Sequence, residues 1–381
     1  MKYFEQYVSN TCAGSGNQLY FTMKEDEVHT GRVFYKIMAA GEFNYSLLFS
    51  NILDSTYSIG NVGHKNLICD SWSILGARIG KCASMPMDKP VTELTMADGE
   101  DSIEADVTVT GFVPITFGGK AVKEVMPGEF FVSDPVLLTF EAGEFLCLEM
   151  TYSGPMIPYH EESMLAVFSK TDSGWVYGKK MPFAGMVGCD RKCVARIAYL
   201  GDSVTQGIGA PPNSYLHWNA LLSDMLGNRY AYWNLGLGFG RGNDAASDGA
   251  WLYKAKQNDV VVVCYGVNDI SKKFTEEQIK KDLTEIVDKL HDAGCKVVVQ
   301  TIPPFDYDER ELPIWLGVNH FIKTELTQKA DMVFDVVPYL WEDEEHPQNA
   351  PYGGHPNIEG GRIWAEALYT PFKEFLDKLY N

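Results

Sequence analysis

Ile197-Ala198-Tyr199-Leu200-Gly201-Asp202-Ser203-Val204-Thr205-Gln206-Gly207 is the stretch on which the reading of this chain turns. Its apolar start, Ile197 to Leu200, has the length and composition of a short buried strand. The strand runs straight into a Gly/Asp turn that carries Ser203. Backbone stiffness holds such a serine while its side chain reaches solvent. Open α/β sheets bind ligands beyond the carboxyl ends of their strands, so the placement suits a nucleophile.

Downstream of this stretch, strand-like runs alternate with helix-length amphipathic ones. Strands are expected at Arg196–Leu200, Tyr230–Leu235, Val260–Tyr265, Lys296–Thr301 and Met332–Val336. Helices are expected near 214–226, 244–257, 275–292, 311–329 and 357–379. Thr275-Glu276-Glu277-Gln278 has the form of a capping box, and Gly294 stands where that helix should end. Val260 to Val263 are consecutive valines, the composition of a central parallel strand covered on both faces. This half is therefore α/β with a parallel sheet.

Upstream the pattern is different. Short runs at Tyr45–Phe49, Ala105–Val109, Phe130–Val132 and Phe145–Tyr152 are separated by Gly, Pro, Asp and Asn, as in Gly118-Gly119, Pro127-Gly128 and Asp134-Pro135. Regular short strands with turn signals between them predict an all-β sandwich. The boundary is placed after Cys189-Asp190, giving an accessory domain at 1–190 and a second domain at 191–381.

Composition narrows the function classes. A net charge of −19 disfavours nucleic acid and anionic membrane as partners, and leaves neutral substrates open. The first residues lack the apolar core of a signal peptide, and no run reaches the length that spans a bilayer. The eight cysteines are scattered, which reads as buried reduced thiols. Cys189 and Cys193 form the one close pair, and no second pair completes a zinc site. Together these place the protein in the cytoplasm, without metal or cofactor.

A serine is a weak nucleophile until a base takes its proton, and the anion formed next must meet donors already in place. Three further blocks supply these parts. Asn234-Leu235-Gly236-Leu237-Gly238-Phe239-Gly240 follows the second strand, with glycines that let backbone N–H groups approach a ligand. A dinucleotide loop would need glycine at 241, where Arg241 stands. Gly266-Val267-Asn268-Asp269 ends the valine strand, and its Asn amide can donate into the same cleft; alone, the pair reads as a turn. Gly353-Gly354-His355-Pro356-Asn357 precedes the last helix and supplies the base. His346-Pro347 is a nearby competitor. Trp218, Trp251 and Trp315 fall in helical stretches and read as core, whereas Phe239 and Tyr352 adjoin the motifs as candidates for the cleft wall.

Taken in order, these four blocks resemble those of SGNH hydrolases, the GDSL esterase/lipase superfamily, over residues 195–381. The resemblance implies a three-layer, flavodoxin-like catalytic domain. It assigns Ser203 as nucleophile, His355 as base, and the Ser203 N–H, the Gly238 N–H and the Asn268 side chain as the oxyanion hole. The segments Leu47–Asn51, Ile115–Gly119 and Pro127–Pro135 are similar to the jelly-roll-like β-sandwich that precedes this domain in some bacterial two-domain esterases. Comparable layouts occur among carbohydrate acetylesterases.

Two departures stand out. The family usually carries Asp three residues before the His, and here that position is Tyr352. A backbone carbonyl holding the imidazole as a Ser-His dyad is the preferred reading. One of Glu342, Asp343, Glu344 or Glu345 as the acid, or a crippled site, are the others. The usual block-two glycine position falls on Phe239, so Gly238 is the neighbouring choice for the donor. The expected activity is hydrolysis of small acyl esters, acetyl foremost, on a small-molecule or oligosaccharide substrate. A lysophospholipase- or thioesterase-like hydrolase and a non-catalytic carbohydrate-binding protein are the alternatives. The N-terminal half has three open roles: binding glycan, shaping the active-site rim, or mediating homo-oligomerisation.

Overall fold

The computed structural model describes residues 2–14, 16–24, 27–58, 62–83, 108–160, 164–178, 180–341 and 354–381. The chain divides into two compact units, Met1–Lys192 with Pro211–Ser214, and Cys193–Ala210 with Tyr215–Asn381.

The first unit is built from antiparallel strands. One sheet orders Val8–Ser9, Met186–Cys189, Gly41–Ser50 and Phe130–Val132, with Val136–Phe140 also pairing Gly41–Ser50. The other orders Gly174–Tyr177, Ala166–Thr171, His29–Lys36, Phe145–Ser153, Trp72–Cys82 and Thr110–Pro114, with Lys123–Val125 pairing Trp72–Cys82. Side chains alternate across a strand, and Phe145–Ser153 shows it. Leu148, Met150 and Tyr152 are buried while Glu149, Thr151 and Ser153 turn outward. Glu149 there accepts from Arg32 Nε at 2.7 Å and Arg78 Nε at 2.8 Å. The inner faces of the sheets meet through Trp72, whose ring lies edge-on to Phe131 at 6.2 Å, and Phe131 stacks on Phe49 at 5.0 Å. Of the expected run Ala105–Val109, residues 105–107 lie outside the described residues, and the strand there is Thr110–Pro114.

The second unit is a parallel α/β sheet. Its strands, numbered within the unit, are β1 (Arg196–Gly201), β2 (Ala231–Gly236), β3 (Val260–Cys264), β4 (Lys296–Gln300) and β5 (Met332–Phe334). They lie in the order β2-β1-β3-β4-β5, and every pairing is parallel. This is the flavodoxin-like order, in which chain direction across the sheet reverses between β1 and β3 and opens a ligand crevice there. Ile197–Leu200 and Val260–Val263 are essentially inaccessible, as strands covered on both faces must be.

The helices are α1 (Ser203–Gln206), α2 (Trp218–Leu226), α3 (Gly242–Ala246), α4 (Ala250–Ala255), α5 (Val267–Ser271), α6 (Glu276–Asp292), α7 (Glu311–Thr324), α8 (Val337–Leu340) and α9 (Ile358–Tyr380). In α6, Ile279, Leu283, Ile286, Val287 and Leu290 form one buried stripe. Thr275 Oγ1 caps it by accepting from Gln278 N at 3.2 Å, and Gly294 takes φ +87° just past its end. Two expectations need correction. The helix expected over 244–257 is two helices, because Asp248 adopts φ +59° and Gly249 restarts the coil as N-cap. The helix expected from 214 begins at Trp218, because Tyr215 takes φ +56° and cannot continue a right-handed turn. Trp218, Trp251 and Trp315 are core residues, each about 1% exposed. None of the eight cysteines forms a disulfide, and seven are buried.

Candidate active site

Three strand ends meet at one level. Gly201 of β1 pairs with Gly236 of β2 on one side and Cys264 of β3 on the other. Both glycines are required by space. A Cβ on Gly201 would lie 2.1 Å from Thr205 Oγ1, and one on Gly236 would lie 2.1 Å from Gln206 N. α1 is thus pressed against the sheet edge. Its N-cap is Asp202, whose Oδ1 accepts from Val204 N at 3.0 Å, and Gly207 closes it in the left-handed region at φ +113°. Ser203 is its first residue and retains 7% of its surface.

His355 reaches this serine from 152 residues away, with Nε2 at 2.8 Å from Ser203 Oγ. That is hydrogen-bond distance, and a neutral imidazole accepting at Nε2 is placed to take the hydroxyl proton. The packing that brings the pair together is visible. Two residues beyond His355, Asn357 caps α9 by accepting from Gly360 N at 2.8 Å. On α9, Trp364 stacks on Trp218 with centroids 4.7 Å apart and planes 6° from parallel. Trp218 Nε1 donates to Val204 O at 3.2 Å, next to the serine, and Trp364 Nε1 donates to Gln300 Oε1 at 2.7 Å. Phe305, in the loop after β4, meets the His355 ring edge-on at 5.2 Å. Gly354 takes φ +103°, and a Cβ there would lie 2.6 Å from the Phe305 ring.

The glycine block opens beside the serine turn, with Leu237 N donating to Gly201 O at 3.1 Å. Gly240 N then returns to Leu237 O at 3.0 Å, which makes Gly238 and Phe239 the centre of a tight turn. Phe239 sits at φ +58° and is 41% exposed. A bulky residue in that region is strained, and such strain concentrates at functional turns. Asn268 and Asp269 hold the carboxyl end of this block and the residues just after it. Asn268 Nδ2 donates to Gly240 O at 2.9 Å. Asp269 accepts from Gly242 N at 2.9 Å and Asn243 N at 3.2 Å. An amide nitrogen carries two N–H groups, so the Asn268 bond to Gly240 orients the group without spending it.

Two carboxylates lie buried under these loops. Burial pushes Asp202 up to about 7, against the Val204 N–H and helped by the charge of Asp269. Burial likewise pushes Asp269 up to about 6, against the N–H groups of Gly242 and Asn243. Tyr265 is buried beside them, its hydroxyl without a hydrogen-bond partner among the described residues.

Of the residues singled out from sequence, Ser203 and His355 are in contact, and Gly238 and Asn268 belong to loops joined by the Gly240 bond. Tyr352, His346 and the four acids Glu342, Asp343, Glu344 and Glu345 lie outside the described residues. Sequence reading missed Phe305, the Asp269 cap and the Trp218–Trp364 pair. Phe305 had a usable signal, since it stands a few residues past the carboxyl end of β4, where the other site loops also begin. Among the described residues, no group of three or more His, Cys, Asp or Glu side chains is placed to hold a metal, and no helix is long and apolar enough to cross a membrane.

Residues 199–363 match the model of the GDSL-like Lipase/Acylhydrolase family. No curated protein is significantly similar to the chain. Solved structures similar to part of it include three of note. A member of the lipolytic protein G-D-S-L family from Veillonella parvula is 20% identical, covering 47% of this chain and 98% of its own, with a TM-score of 0.41. The acetyl xylan esterase AlAXEase is 20% identical, covering 46% and 98%, with a TM-score of 0.38. A carbohydrate esterase family 3 protein from Talaromyces cellulolyticus is 17% identical, covering 48% and 99%, with a TM-score of 0.37.

Proposed function

We propose, from the premise that residues 199–363 form a GDSL-like lipase/acylhydrolase domain and that the protein is a carboxylic ester hydrolase, that it removes small acyl groups, acetyl foremost, from carbohydrate hydroxyls. The observation that carries this reading is the 2.8 Å contact between Ser203 Oγ and His355 Nε2 at the ends of the parallel strands. Ser203 attacks the ester carbonyl as His355 takes its proton. The oxyanion is received by the N–H groups of Ser203 and Gly238 and by the Asn268 amide. His355 returns the proton to the departing sugar hydroxyl, and the same histidine then activates water to free the acid. The imidazole works with Ser203 as a dyad, held at Nδ1 by a main-chain carbonyl.

Two features support a small acyl group and a sugar. The nucleophile is nearly enclosed at 7% exposure, and the loop after α1 closes on the base, with a Cβ at Gly209 meeting Pro356 O at 2.3 Å. Phe239 offers an exposed ring beside the glycine block, a surface for the C–H face of a pyranose. The test is hydrolysis of p-nitrophenyl acetate and octanoate, and acetate release from acetylated xylan and glucomannan, by the wild type and Ser203→Ala. Preference for acetate is expected, with a loss of at least about 10³-fold in the variant. Equal rates in the two proteins end the serine mechanism, and preference for octanoate ends the small-acyl reading.

A further inference from the structure

We infer that the first unit carries a second binding site, for a neutral, hydroxyl-rich ring of the pyranose class, in a cavity between the Tyr3–Gln6 helix and the edge strand Phe130–Val132. The cavity measures about 540 Å³ and is lined entirely by residues of that unit. Its volume falls in the range of small-molecule sites, roughly 300–1,000 Å³.

The alternation of the edge strand creates the apolar wall. Phe131 turns into the core and stacks on Phe49, which sends Phe130 and Val132 to the opposite face, half-buried against the cavity. The other wall is Tyr7, stacked on Tyr3 at 5.0 Å with planes 27° apart. Tyr3 is itself anchored, its hydroxyl donating to Ser46 O at 2.6 Å. Two aromatic rings on stiff backing present flat faces at little entropic cost.

The polar rim is equally fixed. Lys123 Nζ donates to Glu129 Oε1 at 2.7 Å, and Glu129 Oε2 accepts from Met126 N at 2.9 Å. Asp134 accepts from Thr116 Oγ1 at 2.5 Å, Gly118 N at 3.0 Å and Gly119 N at 2.7 Å, and so pins the turn beside the cavity. The charged residues lining the cavity are Lys2, Lys123, Glu129 and Asp134, two of each sign. That balance decides the ligand class. An anion finds no surplus of positive charge and a cation no surplus of negative. A lipid tail would leave the ion-paired rim desolvated against hydrocarbon. A neutral sugar satisfies both parts, with C–H faces on the rings and hydroxyls on ammonium, carboxylate and the Gln6 amide.

This inference does not require Ser203 to be a nucleophile, because it is read by binding alone. Full-length Ser203→Ala protein is titrated calorimetrically with neutral xylo-, manno- and cello-oligosaccharides and with oligogalacturonides. At least one neutral oligosaccharide should bind with millimolar or tighter affinity, and the uronates more weakly. Tyr7→Ala and Phe130→Ala should each weaken binding at least about tenfold, and Val132→Trp, which fills the cavity, should abolish it. Circular dichroism and Tm report whether each variant is folded. If one is not, Gln6→Ala, at an exposed position, serves in its place. Absence of binding to every neutral oligosaccharide at about 10 mM overturns the inference. So does binding that all the cavity variants leave unchanged, or a preference for the uronates.

Discussion

Replacing Gly236 by alanine puts a single methyl group where the serine helix rests. The new Cβ would lie 2.1 Å from Gln206 N and 2.5 Å from both Gln206 Cα and Thr205 C, all backbone atoms of α1. No side-chain rotation relieves backbone overlap. Restoring a separation of about 3.5 Å moves the helix by roughly 1.4 Å away from the sheet. Ser203 is the first residue of that helix, so its Oγ leaves the 2.8 Å contact with His355. A misplacement of about 1 Å can cost ~10²-fold in rate, and overpacking adds about 1–3 kcal/mol of destabilisation. Gly236→Ala should therefore fall about 100-fold in kcat for p-nitrophenyl acetate, and react more slowly with a fluorophosphonate, while remaining folded. Gly242→Ala is the matched control, because its Cβ would meet nothing nearer than 3.5 Å, and it should keep wild-type kcat. A soluble Gly236→Ala protein with wild-type kcat and Tm would refute the account of how β2 and α1 position the serine.

Two further outcomes are expected. Asn268→Ala removes the proposed oxyanion donor and the bond to Gly240 O, so kcat should drop by about 10²–10³-fold with KM changed far less; a steady-state comparison showing a KM effect alone would contradict the role. Asp202 and Asp269, raised to about 7 and about 6, hold protons in the folded state that the unfolded chain releases above about pH 4. Their contribution therefore favours the folded state at low pH and declines as pH rises from about 4 to about 7, so melting curves for Asp202→Asn should show a shallower fall of Tm across that window than wild type, and identical slopes would mean that Asp202 is ionised throughout.

How much of this was legible from residues alone depended on whether the signal was local. Val260–Val263 and Ile197–Leu200 declared themselves because a strand covered on both faces has no polar residue to interrupt it. The order of the four blocks gave the Ser203 and His355 pairing because the strand ends of an α/β sheet all deliver their loops to one edge. The break at Asp248 was not readable, since a non-glycine at φ +59° is selected by surrounding packing. The grip of Asn268 and Asp269 on the glycine block was hidden for a related reason. It joins residues 28 and 27 positions apart, and nothing in either segment names the other. In the first unit the sequence offered turns and short apolar runs, but strand order is set by pairings across more than 100 residues, such as Thr30 with Thr151.

The stacked pair Trp218–Trp364 ties Ser203 and His355 to the interior. One ring holds the main chain next to Ser203, and the other sits on the helix that begins just past His355. The proposed nucleophile and base are thus reference points on a single indole sandwich, and the alignment of the two inherits whatever play that sandwich has. Catalysis becomes a gauge of interior order. A lesion far from any substrate atom that loosens the indoles would be registered first as slowed turnover, with the change in tryptophan emission tracking the loss, before the chain as a whole gives way.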